Sequence, residues 1–299
     1  MTFKTIFKKP WLSSASVLLT GLYYGTLDIW GDEWDWIKNH LDIHSMIYSF
    51  LVLLTVFLVL SKCVIEYLDD KENARLELIK QDREKLLKDF LSFIKNVVHQ
   101  KKNRFFDRVT KISKDRQRIN FFDEITHPID QIRQIMSQAI IFLEKYGVPR
   151  NHVEMTVVGF NTKTDKWTYS VKLDRQKNYT DPQVLMSSQS LAKKAIDDGE
   201  SIFVSDLKAG IGQNAFLKSK RSDSVDNVGS IYCKPVTLKI QHNTYKYVFT
   251  LVSYGTYLCS PNDQQEANEF LTLLDEIGDR VELELYLLAM KQHKEQLGS

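Results

Sequence analysis

Glycine and proline are scarce in this chain, 12 and 6 in 299 residues, which excludes a collagen-like repeat and long disorder. Cysteine is scarcer still. Cys63, Cys233 and Cys259 are odd in number and far apart, so they make neither a complete disulfide framework nor a structural zinc site. A reducing compartment suits them. Charge is nearly balanced, 40 basic against 38 acidic residues, and names no partner. There is no Walker loop, HExxH, CxxC, GxSxG or Gly-rich dinucleotide fingerprint. The seven His are dispersed without ligand-like pairing, and His127 is followed by Pro128, a helix-opening residue, with no ATP-binding lobe downstream. The expectation is a protein that is not an enzyme and has no catalytic residue, metal or cofactor.

Apolar sequence is abundant near the N-terminus. Residues 10–27 and 45–61 contain no charge, and each run, at ~1.5 Å per helical residue, spans ~26–30 Å of hydrocarbon. Trp11, Tyr23, Tyr24, Trp30, Trp34, Trp36 and Tyr48 stand where an interfacial aromatic belt would lie. No small-residue cleavage site follows Leu27, and 46–60 lacks the polar stripe of a soluble core helix. Residues 1–65 are therefore expected to form a two-helix transmembrane hairpin in a lipid bilayer. Lys4, Lys8 and Lys9 precede the first run, while Asp28, Asp32, Glu33, Asp35 and Asp42 dominate the connection. Basic residues mark the cytoplasmic side, which implies a two-pass inner (plasma) membrane protein with both termini cytoplasmic.

Residues 66–120 read as a helical stalk. Leu76, Arg83, Phe90 and Val97 share one heptad position; Ile79, Leu86 and Phe93 share the other, a seam for homo-oligomerisation. Leu87, Leu91, Ile94 and Val98 widen the stripe, and packing against the protein's own domain is the competing reading. Nine basic residues lie between Lys95 and Arg118, with Phe105, Phe106, Val109, Ile112 and Ile119 interleaved. A solvated helix face explains that patch better than nucleic acid or lipid does.

Residues 121–299 change character. After a helix ending near Tyr146, the strands VEMTVVGF (153–160) and KWTYSVKL (166–173) form a hairpin, the second burying Trp167, Tyr169, Val171 and Leu173 on one face. A helix at 187–197, a strand at 201–205 and a polar loop at 206–227 follow. Strands 228–240 and 245–254 are apolar on both faces, as central strands covered twice should be. A last amphipathic helix starts after Pro261.

The run GSIYCKPVTL, the strand YVFTLVSY and the stretch SPNDQQEANEFLTLLDEIGDRVELEL, with Ser230, Pro235 and Asp263 at their characteristic places, resemble the GAF domain, a relative of PAS domains. The fold class expected is α+β: a two-helix transmembrane hairpin, a long helical stalk and a C-terminal GAF-like antiparallel sheet flanked by helices. The resemblance implies a pocket roofed by 206–227. Its walls would be Phe203, Phe216, Tyr232 and Tyr254, with Ser222 and Ser230 as hydrogen-bonding groups and Lys218 and Arg221 meeting an anion. The function expected is a membrane sensor or effector for an anionic, nucleotide-like small molecule, acting on its spans or on a separate output protein. Some bacterial anti-phage membrane effectors have this architecture. The alternative is a non-sensing anchor whose GAF-like domain serves as a dimerisation or docking scaffold.

Overall fold

The computed structural model describes residues 10–30, 33, 35–111, 126–161, 164–174, 179–187, 189–213, 216 and 220–297. The chain divides into two compact units, Met1–Lys85 and Leu86–Ser299.

The first unit contains α1 (Pro10–Trp30), the short α2 (Asp35–Asn39) and the beginning of α3 (Leu41–Thr110). The hydroxyls of Thr20 and Thr55 lie 3.0 Å apart, and Tyr23 Oη is 2.8 Å from Nδ1 of His44. Trp36 stands edge-on to the buried His44 ring, with centroids 4.7 Å apart. Among the described residues, α3 is the one helix long and apolar enough to cross a membrane. Its apolar residues are exposed, Met46 at 78% and Leu53 at 68%, unlike those of a soluble core helix. Of the two expected spans, the structure supports the one in α3. Ser14, Ser16, Thr20, Gly21, Gly25 and two tyrosines lower the apolarity of α1 relative to the run in α3.

The second unit adds α4 (Pro128–Lys145), β1 (Val153–Asn161), β2 (Lys166–Lys172), α5 (Pro182–Ser187), α6 (Leu191–Asp198), β3 (Ile202–Val204), α7 (Leu207–Gly212), α8 (Lys220–Asp223), β4 (Gly229–Ile240), β5 (Asn243–Tyr254) and α9 (Gln264–Leu297). The strands form one antiparallel sheet in the order β2-β1-β5-β4-β3. The last hairpin is central and buried on both faces, as its sequence requires. Polar caps set the helix starts: Ser190 Oγ accepts from Lys193 N, Asp206 from Lys208 N, and Asp263 from the amides of Gln265 and Glu266. Asp263 thus opens the long last helix, as the resemblance implies. The expected polar loop 206–227 contains two short helices instead.

Two apolar cores sandwich the sheet. The larger joins the sheet to α4, α9 and the end of α3, with Phe249, Leu251, Phe270, Ile277 and Leu285 each at most 1% exposed. The smaller lies under α5, α6 and α7 and contains Met186, Leu191, Leu207, Phe216, Cys233 and Val248. Half of the expected oligomer seam is spent inside the larger core. Phe90, Phe93 and Val97 are buried, and the Phe90 and Phe142 rings meet at 5.5 Å and 72°. Leu76 and Ile79 remain 57% and 41% exposed. A second correction concerns β2. Val157 pairs with Val171 but Val158 with Tyr169, so Ser170 is an extra residue. The bulge flips the strand. Val171 and Leu173 face the larger core, whereas Trp167 and Tyr169 face the smaller one, Trp167 lying 5.2 Å from the Phe160 ring.

Candidate functional site

Strand alternation decides where the sequence-derived pocket residues lie. Phe203 pairs with Tyr232, and Tyr232 with Leu251, so Phe203 and Tyr232 share the face covered by the long helices. Phe203 stacks on Phe270 at 6.5 Å, and the Tyr232 hydroxyl donates to Asp275 at 2.6 Å. Burial and that carboxylate push the phenol well above its ordinary value. Phe216 and Tyr254 lie on the opposite face. The four aromatic residues therefore do not form one wall. Ser230 is fully buried; its hydroxyl donates to Ser205 O at 2.7 Å and accepts from Leu258 N at 3.0 Å. That hydroxyl holds the fold together. Ser222 is buried. Lys218 lies outside the described residues, as does the side chain of Arg221, whose backbone is in α8. The space under α5–α7 is occupied by Met186, Leu191, Leu207 and Phe216.

An open groove lies on the other side, between the end of α3, α4 and α9. It encloses ≈ 570 Å³. α3 buries its Phe90–Phe93–Val97 stripe, and its apolar arc continues beyond what the domain covers, leaving Val98 and Phe106 51% and 67% exposed. Val98, Phe105, Phe106 and Val109 form one wall, and Ile135 and Leu283 face them. Lys101, Lys102 and Arg280 supply positive charge, and Gln131 and Glu284, each 2% exposed, are its most buried polar lining residues.

The polar groups at this junction are incompletely paired. One Glu284 oxygen accepts from Lys101 Nζ, while Oε2 has no hydrogen-bond partner. Gln131 Nε2 and Arg104 Nη1 also lack one, and Gln134 bonds Gln100 through Nε2 while its Oε1 is unpaired. Burial pulls the Arg104 guanidinium below its ordinary value; Asp130 and Glu284 oppose this and Arg108 adds to it. A buried unpaired polar atom costs ~1–3 kcal/mol, and native folds leave few. Two of these atoms, on Glu284 and Gln131, belong to residues that line the groove, which makes it the candidate site.

Sequence reading missed this groove, yet it left a trace. Glu284 sits on the α9 stripe Ile277, Val281, Leu288, and Gln131 on the α4 stripe with Ile135 and Ala139, so both are polar residues at positions whose period demands burial. Among the described residues no His/Cys/Asp/Glu group could hold a metal.

No protein-family model matches the chain, and no curated protein matches it. Among solved structures, the GAF domain of an Acinetobacter phosphoenolpyruvate-protein phosphotransferase is similar at 12% identity and a TM-score of 0.34, over 66% of this chain and 92% of that one. The domain's own element order is helix, hairpin, helices, strand, short helices, hairpin and long helix.

Proposed function

We propose that the chain is a non-catalytic, membrane-attached GAF-like sensor that takes a cytoplasmic, anionic small molecule in the groove between α3, α4 and α9. The observation that carries this reading is that α3 is one helix from Leu41 to Thr110, containing both the apolar run and the groove wall Val98–Val109. A ligand that prefers one setting of that wall biases the helix as a whole, by as much as its affinities for the two settings differ. The cations Lys101, Lys102 and Arg280 favour an anion. Output then passes to the span or to a separate partner protein. In the sharper, anti-phage-type version, ligand binding drives oligomers that disturb the bilayer, and dye release from vesicles carrying the full chain tests it.

Mass spectrometry of small molecules released from the purified full chain tests the reading. A stoichiometric anionic compound is expected, absent from a Leu283→Glu variant that puts a charge into the groove. Its presence in both proteins, or in neither, overturns the reading. Topology is tested with single cysteines at positions 2, 35 and 220. If α1 and α3 both cross, 2 and 220 label from the same side and 35 from the other. If α3 alone crosses, 2 and 220 label from opposite sides.

One observation favours the docking alternative: side chains fill the space under α5–α7. Under that reading the exposed Leu76, Ile79, Leu91 and Phe106 meet another copy, and light scattering of the detergent-solubilised chain gives an oligomer that Leu91→Glu with Phe106→Glu dissociates.

A further inference from the structure

We infer that the groove takes a planar, N–H-bearing heterocycle joined to an anionic group, the chemistry of a nucleotide; this rests on the groove being a ligand site. The least exposed polar residues offer an acceptor, Glu284 Oε2, and a donor, Gln131 Nε2, neither of which has a partner. A ligand that satisfies both brings an N–H and an acceptor on the part of it that lies deepest. An acyl chain brings neither, and its carboxylate would gain nothing from Glu284. Inorganic phosphate leaves the apolar walls uncovered. A nucleobase meets both demands, because its edge alternates donors and acceptors and its faces suit Phe105 and Phe106.

The charges fit the same molecule. Lys101 neutralises Glu284 through its other oxygen, so the carboxylate does not repel an anion held by Lys102 and Arg280. Arg280 offers the planar fork that matches a phosphate. The ≈ 570 Å³ enclosed falls in the ~300–1,000 Å³ range of small-molecule sites. This location is on the opposite side of the sheet from the roofed pocket that the GAF resemblance implies.

The test is calorimetry on the full chain in amphipol, titrated with GMP, AMP, guanosine, adenosine, inorganic phosphate and octanoate. At least one nucleotide is expected to bind with micromolar Kd, its nucleoside at least tenfold more weakly, and phosphate not at all. Arg280→Gln should raise the nucleotide Kd about tenfold and leave the nucleoside unchanged. Glu284→Gln should weaken both, and Leu283→Glu, at a 54% exposed position, should abolish both without touching the core. Nucleotide binding that is indifferent to Arg280→Gln and Leu283→Glu overturns the inference. Octanoate heat that Leu283→Glu removes, with no nucleotide heat, overturns the inference while keeping the groove as a ligand site. Silence from every probe overturns the inference; the co-purification experiment then decides whether the groove binds any small molecule.

Discussion

The two faces of the sheet in the second unit are covered by different materials. Towards α3, α4 and α9 the cover is long helix, and Tyr232, Phe249, Leu251, Phe270 and Leu285 are sealed beneath it. Towards α5–α8 the cover consists of helices of four to eight residues, closed by Met186, Leu191, Leu207 and Phe216. Helices that short have no stability of their own, so the second cover stands only while its side chains pack. The comparison teaches that one sheet can have a face whose opening requires global unfolding and another that opens locally. The groove is on the first, where rigid helices can hold a polar pair in place.

The sharpest test of the contrast is a pair of truncations. Phe249→Ala should cost ~3–5 kcal/mol and Leu207→Ala ~2–3 kcal/mol by denaturant unfolding. Hydrogen exchange should then show Leu207→Ala loosening 182–223 alone and Phe249→Ala loosening the whole unit. Equal and global effects would break the contrast.

Alkaline pH reaches both faces. Burial pushes the Cys233 thiol, under the short helices, up to about 12. It pushes Cys259, in the larger core, up to about 11, with Glu266 and Asp263 adding to it. Unfolded thiols ionise near their ordinary value of 9 while the folded ones keep their protons. Above pH 9 the unfolded state therefore binds fewer protons, and stability falls as pH rises. The contribution is complete below 9 and is lost progressively up to about 11 for Cys259 and about 12 for Cys233. Denaturation midpoints from pH 8 to 11 should decline, and Cys233→Ala should be less stable at pH 8 yet decline less. A flat wild-type profile would contradict the burial of both thiols.

Smaller effects refine the helix-covered face. Tyr232→Phe, which removes the bond to Asp275, should cost ~1–2 kcal/mol. Lys234 bonds Asp279 and lies 3.3 Å from Glu282, but both carboxylates are partly exposed, so Lys234→Met should cost at most ~1 kcal/mol. A larger loss would show that this pair, rather than packing, fixes α9.

Much of this architecture was legible in the residues. The order of the five strands, the doubly buried final hairpin and the capped last helix followed from period, breakers and Asp263, whereas the expected helix 187–197 is two, Pro182–Ser187 and Leu191–Asp198, and 206–227 adds two more. The pocket was not, and parity is the reason. Tyr232 and Tyr254 look like neighbours on a hairpin, yet Tyr254 pairs with Gly229 and Tyr232 with Leu251, which puts them on opposite faces. Gly229 itself is invisible as a constraint in sequence. At φ 145° its Cα approaches β5 so closely that an added Cβ would lie 2.0 Å from Ser253 O. The bulge at Ser170 likewise has no mark in the alternation of β2. The C-terminal half of the α3 seam is a buried face, but periodicity identifies a face that will be buried and not the partner that buries it. Phe90, Phe93 and Val97 chose α4.

Four of the five tryptophans, Trp11, Trp30, Trp34 and Trp36, lie in the first unit, and Trp167 is alone in the second. The bulge at Ser170 turned that indole towards the core beneath the short helices. The protein consequently carries its own optical reporter for its weaker face. With the four N-terminal tryptophans changed to Phe, emission comes from a single indole beside Phe160. A red shift that precedes the loss of far-ultraviolet helical signal would record the short cover lifting while the long helices still hold.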